Sequence, residues 1–288
     1  MTRKKEKLII IILCALIIVG IFCLLFINTG DKKEAVSSAV ETPKVTEEAK
    51  VEETPKKKDY ISLKDLDYTK LDESNWIIKY EDDKYISSIG IDVSEFNKST
   101  DFYTLKSEGI DFVFIRVGWR GYTEGNIYRD KYFEDYYREA KDAGLKIGFY
   151  FFSQAISEEE AKEEADFVLN QIKGKECDLY VCFDMESPGG SEGRIANKTK
   201  EERTSYALTF SKIIEENGYK PMIYANKDWS INYYDMNKLK DIPIWYALYD
   251  DYPEVDFDFA LWQYTASASV YGSSLVNRTD LNLMLIEK

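Results

Sequence analysis

The chain has 288 residues, 44% hydrophobic and 15% aromatic, with 22 tyrosines and 5 tryptophans, enough for one large folded domain with extensions. Its net charge of −14 argues against nucleic acid as a partner. It contains no histidine, which excludes Ser-His-Asp triads, Cys-His dyads and His-ligated zinc and leaves proton transfer to Asp, Glu, Tyr, Lys or Cys.

Residues 1–7 carry Arg3, Lys4, Lys5 and Lys7, and residues 8–27 then run about twenty positions without a charge, the length that spans a bilayer core. This pattern predicts a cytoplasmic basic tail, a single-pass transmembrane signal anchor over 8–27, and a remainder outside a bacterial cell membrane. A cleaved signal peptide is the alternative; the apolar core is longer than a usual h-region and no A-x-A site follows it. From 31 to 58 the chain is rich in Glu, Lys, Thr, Val, Ser and Pro, with no aromatic residue, so 28–60 is expected to be a disordered charged linker. Apolar residues return at Leu63, Leu66, Leu71, Trp76, Ile77 and Ile78, a lead-in over 61–87 expected to dock on the main domain. Cys14 and Cys23 lie in the apolar segment. Cys177 and Cys182 are roughly 16 Å apart along one extended run, too far to bridge, and read as free thiols.

From residue 88 short apolar strands alternate with amphipathic helices. Strands are predicted at 89–93, 112–117, 146–152, 179–183, 222–225, 244–247, 260–264 and 280–284, and helices at 102–108, 131–143, 157–172 and 200–217. Ser157 with Glu160 three positions on forms a capping box, and Gly144 and Gly218 sit where helices end in a left-handed residue. Strand–helix alternation followed by strands with little helix between them predicts an α/β barrel over 88–288 with a degenerate final third.

The stretch from Cys177 to Glu186 reads C-D-L-Y-V-C-F-D-M-E: a buried strand ending in two acids. Residues i and i+2 of a strand share a face, roughly 6.5–7 Å apart, so Asp184 and Glu186 project side by side. Acids that close raise each other's pKa and retain a proton near neutrality, the equipment for acid-assisted cleavage of a glycosidic bond. Asp92 on the first strand and Asp280 near the last fall at the same end of the expected barrel.

Six motifs occur in order: Gly90-Ile91-Asp92-Val93-Ser94, Phe183-Asp184-Met185-Glu186, Ile223-Tyr224-Ala225-Asn226, Ile244-Trp245-Tyr246-Ala247, Trp262-Gln263-Tyr264 and Asp280-Leu281-Asn282. Together they resemble glycoside hydrolase family 25, the Chalaropsis-type lysozymes or N-acetylmuramidases. The resemblance implies a modified TIM-like (β/α)5(β)3 barrel acting on the peptidoglycan glycan strand. The expected reaction is hydrolysis of the β-1,4 bond between N-acetylmuramic acid and N-acetylglucosamine, without metal or cofactor. It implies Glu186 as general acid and Asp184 as its partner, either orienting the substrate's N-acetyl group or stabilising an oxocarbenium-like centre. Asp92 and Asp280 match further acids of the family's cleft; Tyr150, Tyr224, Trp245, Trp262, Gln263 and Asn282 match groove positions that hold the glycan. The third strand departs from the pattern: many members carry a histidine near Tyr150-Phe151-Phe152, and this chain has none. Two other readings are a barrel that grips glycan without cutting and a glycosidase for another acetylated polymer such as chitin. The second would want a D-x-x-D-x-D-x-E run, which the stretch before Asp184 lacks.

Overall fold

A computed structural model of the chain describes residues 58–187, 193–249, 251–273 and 278–288. The expected basic tail, signal anchor and nearly all of the linker lie outside the described residues. Among the described residues no helix is long and apolar enough to cross a membrane.

The lead-in contributes a two-stranded hairpin, β1 (Leu71–Asp72) and β2 (Lys79–Tyr80). It docks as its apolar residues require: Leu63, Leu66, Ile78 and Tyr80 are buried in the main core. The Leu63 amide donates to the Phe259 carbonyl at 2.9 Å, and the Tyr68 hydroxyl to the Pro253 carbonyl at 3.1 Å.

Eight strands then close a barrel: β3 (Tyr85–Val93), β4 (Phe112–Arg120), β6 (Lys146–Ser153), β7 (Val181–Met185), β8 (Pro221–Asn226), β9 (Ile244–Ala247), β10 (Leu261–Ala268) and β11 (Thr279–Glu287). Neighbours from β3 through β10 pair in parallel, whereas β11 is antiparallel to both β10 and β3 and seals the ring. A short β5 (Ile127–Arg129) folds back on the end of β4. Helices α1 (Phe102–Ser107), α2 (Phe133–Asp142), α3 (Glu158–Ile172) and α4 (Lys200–Glu216) carry the first four crossovers, and a π-helical turn at Trp229–Tyr233 the fifth. Among the described residues no helix lies between the last three strands, the degenerate final third that the spacing predicts.

Alternation along each strand sorts side chains into two layers. Phe112, Phe114, Tyr150, Cys182, Met222, Tyr224, Trp245 and Leu261 fill the barrel. Ile91, Val113, Phe149, Val181, Phe183, Ile223, Tyr246 and Leu283 face out into the helix-covered core. Gly90 and Gly148 are the inner positions where rings take the space: a Cβ there would lie 2.2 Å from the Phe112 ring and 2.6 Å from that of Phe114.

Several strands run beyond their expected ends, among them β3 back to Tyr85, β10 on to Ala268 and β11 on to Glu287, and three further departures bear on the site and its supports. β7 runs two residues further than predicted, so Asp184 lies within the ladder, opposite Phe152. β4 continues past 117 through a bulge between Arg116 and Gly118, because Arg120 is drawn into an ion cluster with Glu164 on α3 at 2.7 Å. The Ser157 hydroxyl caps α3 as predicted, but the Glu160 carboxylate returns to the Ile156 amide rather than to that of Ser157. The reciprocal capping box is at Thr199 and Glu202 on α4.

Candidate active site

Each acid singled out in the sequence ends on the inner side of the barrel's carboxyl pole. Asp92 is the penultimate residue of β3, on the same side of the pleat as Gly90. Asp184 shares the face of Cys182 near the end of β7, and Glu186 follows that strand. Asp280 is the second residue of β11, which runs the other way, so its beginning lies where the parallel strands end. Asp184 is buried and the other three are half-buried.

Their electrostatics mark them as neighbours. Burial, then the charge of Asp92, pushes the Glu186 carboxyl up to about 7. Burial, then Asp92 and Glu186, pushes Asp280 up to about 9. Asp184 is raised well above the ordinary carboxylate range by burial and by Glu186 and Asp92, against the pull of Arg116. Asp92 is also raised by burial, against two amide donors. Four carboxyl groups so placed cannot all ionise, and the set carries protons at neutral pH.

Asp92 is the fixed point of the cluster. Its Oδ2 accepts from Gln263 Nε2 and from Asn282 Nδ2, each at 2.9 Å. Both amides are oriented from behind. The Gln263 Oε1 accepts from the Tyr249 hydroxyl at 2.6 Å and the Tyr224 hydroxyl at 3.2 Å, while Asn282 Oδ1 accepts from the Trp245 indole at 2.8 Å. With donors on their oxygens, both amides must turn nitrogen toward the carboxylate.

Glu186 is held through its backbone, whose carbonyl accepts from Gln154 Nε2 at 2.8 Å. Its carboxyl is left for other work. Asp184 has a buried Oδ1 without a hydrogen-bond partner, an acceptor set beside the proton-bearing group.

The residues expected to hold glycan divide. Tyr150 and Tyr224, each 9% exposed, line the inner layer beneath the acids, and Gln263 braces Asp92. Trp245 and Asn282 are buried under the site rather than at its surface, at 2% and 0% exposure, and serve the amide relay. Trp262 lies elsewhere. It neighbours Gln263 on β10 and therefore points to the opposite face, where its ring packs against Tyr68, Tyr252 and Tyr264 and its indole donates to the Leu248 carbonyl. It is not part of the acid site.

Sequence reasoning missed Arg116 and the rim. Arg116 faces inward on β4, paired with Asp130 at 2.8 Å and Glu95 at 3.2 Å, with its guanidinium 4.7 Å from the Trp119 ring and 5.2 Å from Phe96. A lone arginine inside the apolar run F-V-F-I-R-V was the available signal. Exposed aromatic rings follow the carboxyl ends of several strands: Phe96 after β3, Tyr122 after β4, Tyr249 after β9 and Tyr271 after β10. Among the described residues no group of three or more His, Cys, Asp or Glu is arranged to hold a metal ion.

Residues 91–273 match the family described as "Glycosyl hydrolases family 25". An autolytic lysozyme of Clostridium acetobutylicum is 32% identical over 190 residues, covering 64% of this chain and 52% of that protein. The chain thus spans about half the length of that curated relative. Among solved structures, the spore cortex lytic enzyme SleM of Clostridium perfringens superposes with a TM-score of 0.56 at 24% identity, over 69% of this chain and 67% of the other. A family 25 glycosyl hydrolase of Bacillus anthracis gives 0.58 at 20% identity, over 68% of this chain and 88% of the other. At those identities the structural likeness speaks for the fold.

Proposed function

The chain belongs to glycosyl hydrolases family 25, and from that premise we propose that it is a muramidase. Its reaction is hydrolysis of the β-1,4 bond between N-acetylmuramic acid and N-acetylglucosamine in peptidoglycan, with Glu186 as general acid and Asp184 assisting. The observation that carries this reading is the convergence of four carboxyls, Asp92, Asp184, Glu186 and Asp280, on the inner side of the barrel's carboxyl pole. Glu186, half-buried and raised to about 7, holds a proton at the pH where a glycosidic oxygen needs one.

Glu186 gives that proton to the leaving oxygen as the bond from the anomeric carbon breaks. The orphaned Oδ1 of Asp184 suits the N–H of the sugar's 2-acetamido group, turning the acetamido oxygen toward the anomeric carbon to form the new bond from within the substrate. Water then attacks the same carbon, gives a proton back to the Glu186 carboxylate and restores the acetamido group. Asp92, fixed by Gln263 and Asn282, keeps negative potential beneath the developing positive charge. The exposed rings of Phe96, Tyr122, Tyr249 and Tyr271 offer flat faces for pyranose rings.

The test is release of reducing ends from purified peptidoglycan, with mass spectrometry of the products to identify the new reducing sugar. Glu186→Gln should abolish release with the fold intact. Undiminished release by that variant, or N-acetylglucosamine rather than N-acetylmuramic acid at the new end, would overturn the assignment.

A further inference from the structure

The lead-in and the outer face of β10 enclose a second groove of about 550 Å³, between the hairpin tip at Glu73, Asn75 and Trp76 and the barrel at Tyr252, Tyr264 and Thr265. None of the four acids lines it, and strand β10 separates it from the acid cluster: Gln263 points inward to Asp92 while Trp262 and Tyr264 point outward. The volume is that of an ordinary small-ligand site.

Its construction is specific. Trp76 is 45% exposed and Tyr252 39%, large rings left in water although the surrounding chain is well pinned. The Tyr264 hydroxyl donates to the Trp76 carbonyl at 2.9 Å, the Tyr252 hydroxyl to Glu73 at 3.2 Å, and the Asn75 side chain accepts from the Ile77 amide at 2.9 Å. Tyr252 is further stacked on Tyr68 at 4.5 Å between ring centres. The Tyr252 ring and the backbone that carries Trp76 are therefore held in place before any ligand arrives, which lowers the ordering cost of binding.

Among the described residues the lining contains no lysine or arginine, and it includes the carboxylates Glu73 and Asp251. That balance disfavours phosphates and other anions and suits a neutral ligand rich in hydroxyl and amide donors with a flat, weakly polar C–H face. We propose that this groove is a second saccharide-binding site that holds N-acetylated sugar units of the glycan away from the point of cleavage. It rests on the muramidase reading for the identity of the polymer. Trp76 precedes the residues matched to the family, so the site would be an addition made by the lead-in.

The experiment uses the full chain, Trp76→Ala and Tyr252→Ala in it, and the same changes in a Glu186→Gln background. Retention on insoluble purified peptidoglycan and titration with the N-acetylglucosamine tetramer, followed by tryptophan fluorescence and indole NMR, report binding. Turnover of a short soluble muropeptide fragment reports the acid site. Loss of one stacking ring should weaken retention about fivefold to tenfold, leave turnover of the short fragment unchanged, and remove a tetramer-induced shift of the Trp76 indole. Unchanged retention, an indole that ignores the tetramer, or an equal loss of short-fragment turnover would overturn the proposal. If the parent chain cuts nothing yet binds in a Trp76-dependent manner, the muramidase reading fails and the second site stands.

Discussion

Replacing Asp92 with asparagine separates the two causes that keep Glu186 protonated. In the native site the Asp92 Oδ2 takes two amide N–H donors at 2.9 Å. An asparagine oxygen in that place can accept both, so the change removes a charge and nearly preserves the shape. Raising the Glu186 carboxyl from 4.5 to about 7 corresponds to ~3 kcal/mol of preference for the protonated form. Burial is the larger cause and Asp92 the second, so the charge accounts for less than half. The alkaline limb of the kcat/KM profile should therefore move down by at most about one pH unit. Asp280, which also owes part of its rise to Asp92, should ionise earlier as well. The assay is release of reducing ends across pH 4–9, with carbon-13 NMR of labelled Glu and Asp carboxyls reporting the same titrations independently of rate. A limb and a Glu186 titration that stay in place, or move upward, would refute the electrostatic link between β3 and β7. Asp92→Ala is the contrast, since it strands two buried amide donors and should cost stability as well.

Glu186→Gln should stabilise the fold at pH 8 by up to ~3 kcal/mol and give no gain at pH 4. The sign follows from the raised pKa: the folded chain binds this proton more tightly than the unfolded one, so stability is full below 4.5 and is lost as pH rises through 7. Thermal melts at the two pH values check it, and a variant less stable at pH 8 would contradict it. Trp262→Ala should destabilise by ~3–5 kcal/mol, because the ring is 3% exposed and packs among Tyr68, Tyr252 and Tyr264. At a temperature where the variant is folded, its pH profile should match the native one; a displaced profile would return Trp262 to the acid site.

The barrel was readable because its strands are short apolar runs with acids or breakers at one end, and because helices lie between the early strands and not the late ones. The paired acids were readable for the same local reason, two positions apart on one strand. Arg116 was not, because its value depends on Glu95 and Asp130, which meet it only when β3 lies beside β4 and β5 folds back on β4. Tyr249 was missed for a similar reason: it follows β9 in a loop, and only its contact with Gln263 on β10 ties it to Asp92. The docking of the lead-in could be expected from its apolar residues, but which rings it would leave exposed could not.

Trp262 shows where a purely sequential reading had more to offer. Adjacent residues on a regular strand face opposite ways, so Trp262 and Gln263 could not both line one groove. Up to the first bulge, one inner residue per strand settles the rest. From Asp184 inward, Cys182 follows; from Gln263, Leu261; from Asn282, Asp280 and Met284; and all of these share the barrel's inner side in the structure. The same parity divides the six motifs into two jobs. Their inner residues build the acids and the amide relay, while the intervening Ile91, Phe183, Ile223, Tyr246, Trp262 and Leu281 anchor the strands in the outer core. In each such motif one half positions what the other half presents, so an outward residue such as Trp262 can belong to the pattern without touching the chemistry.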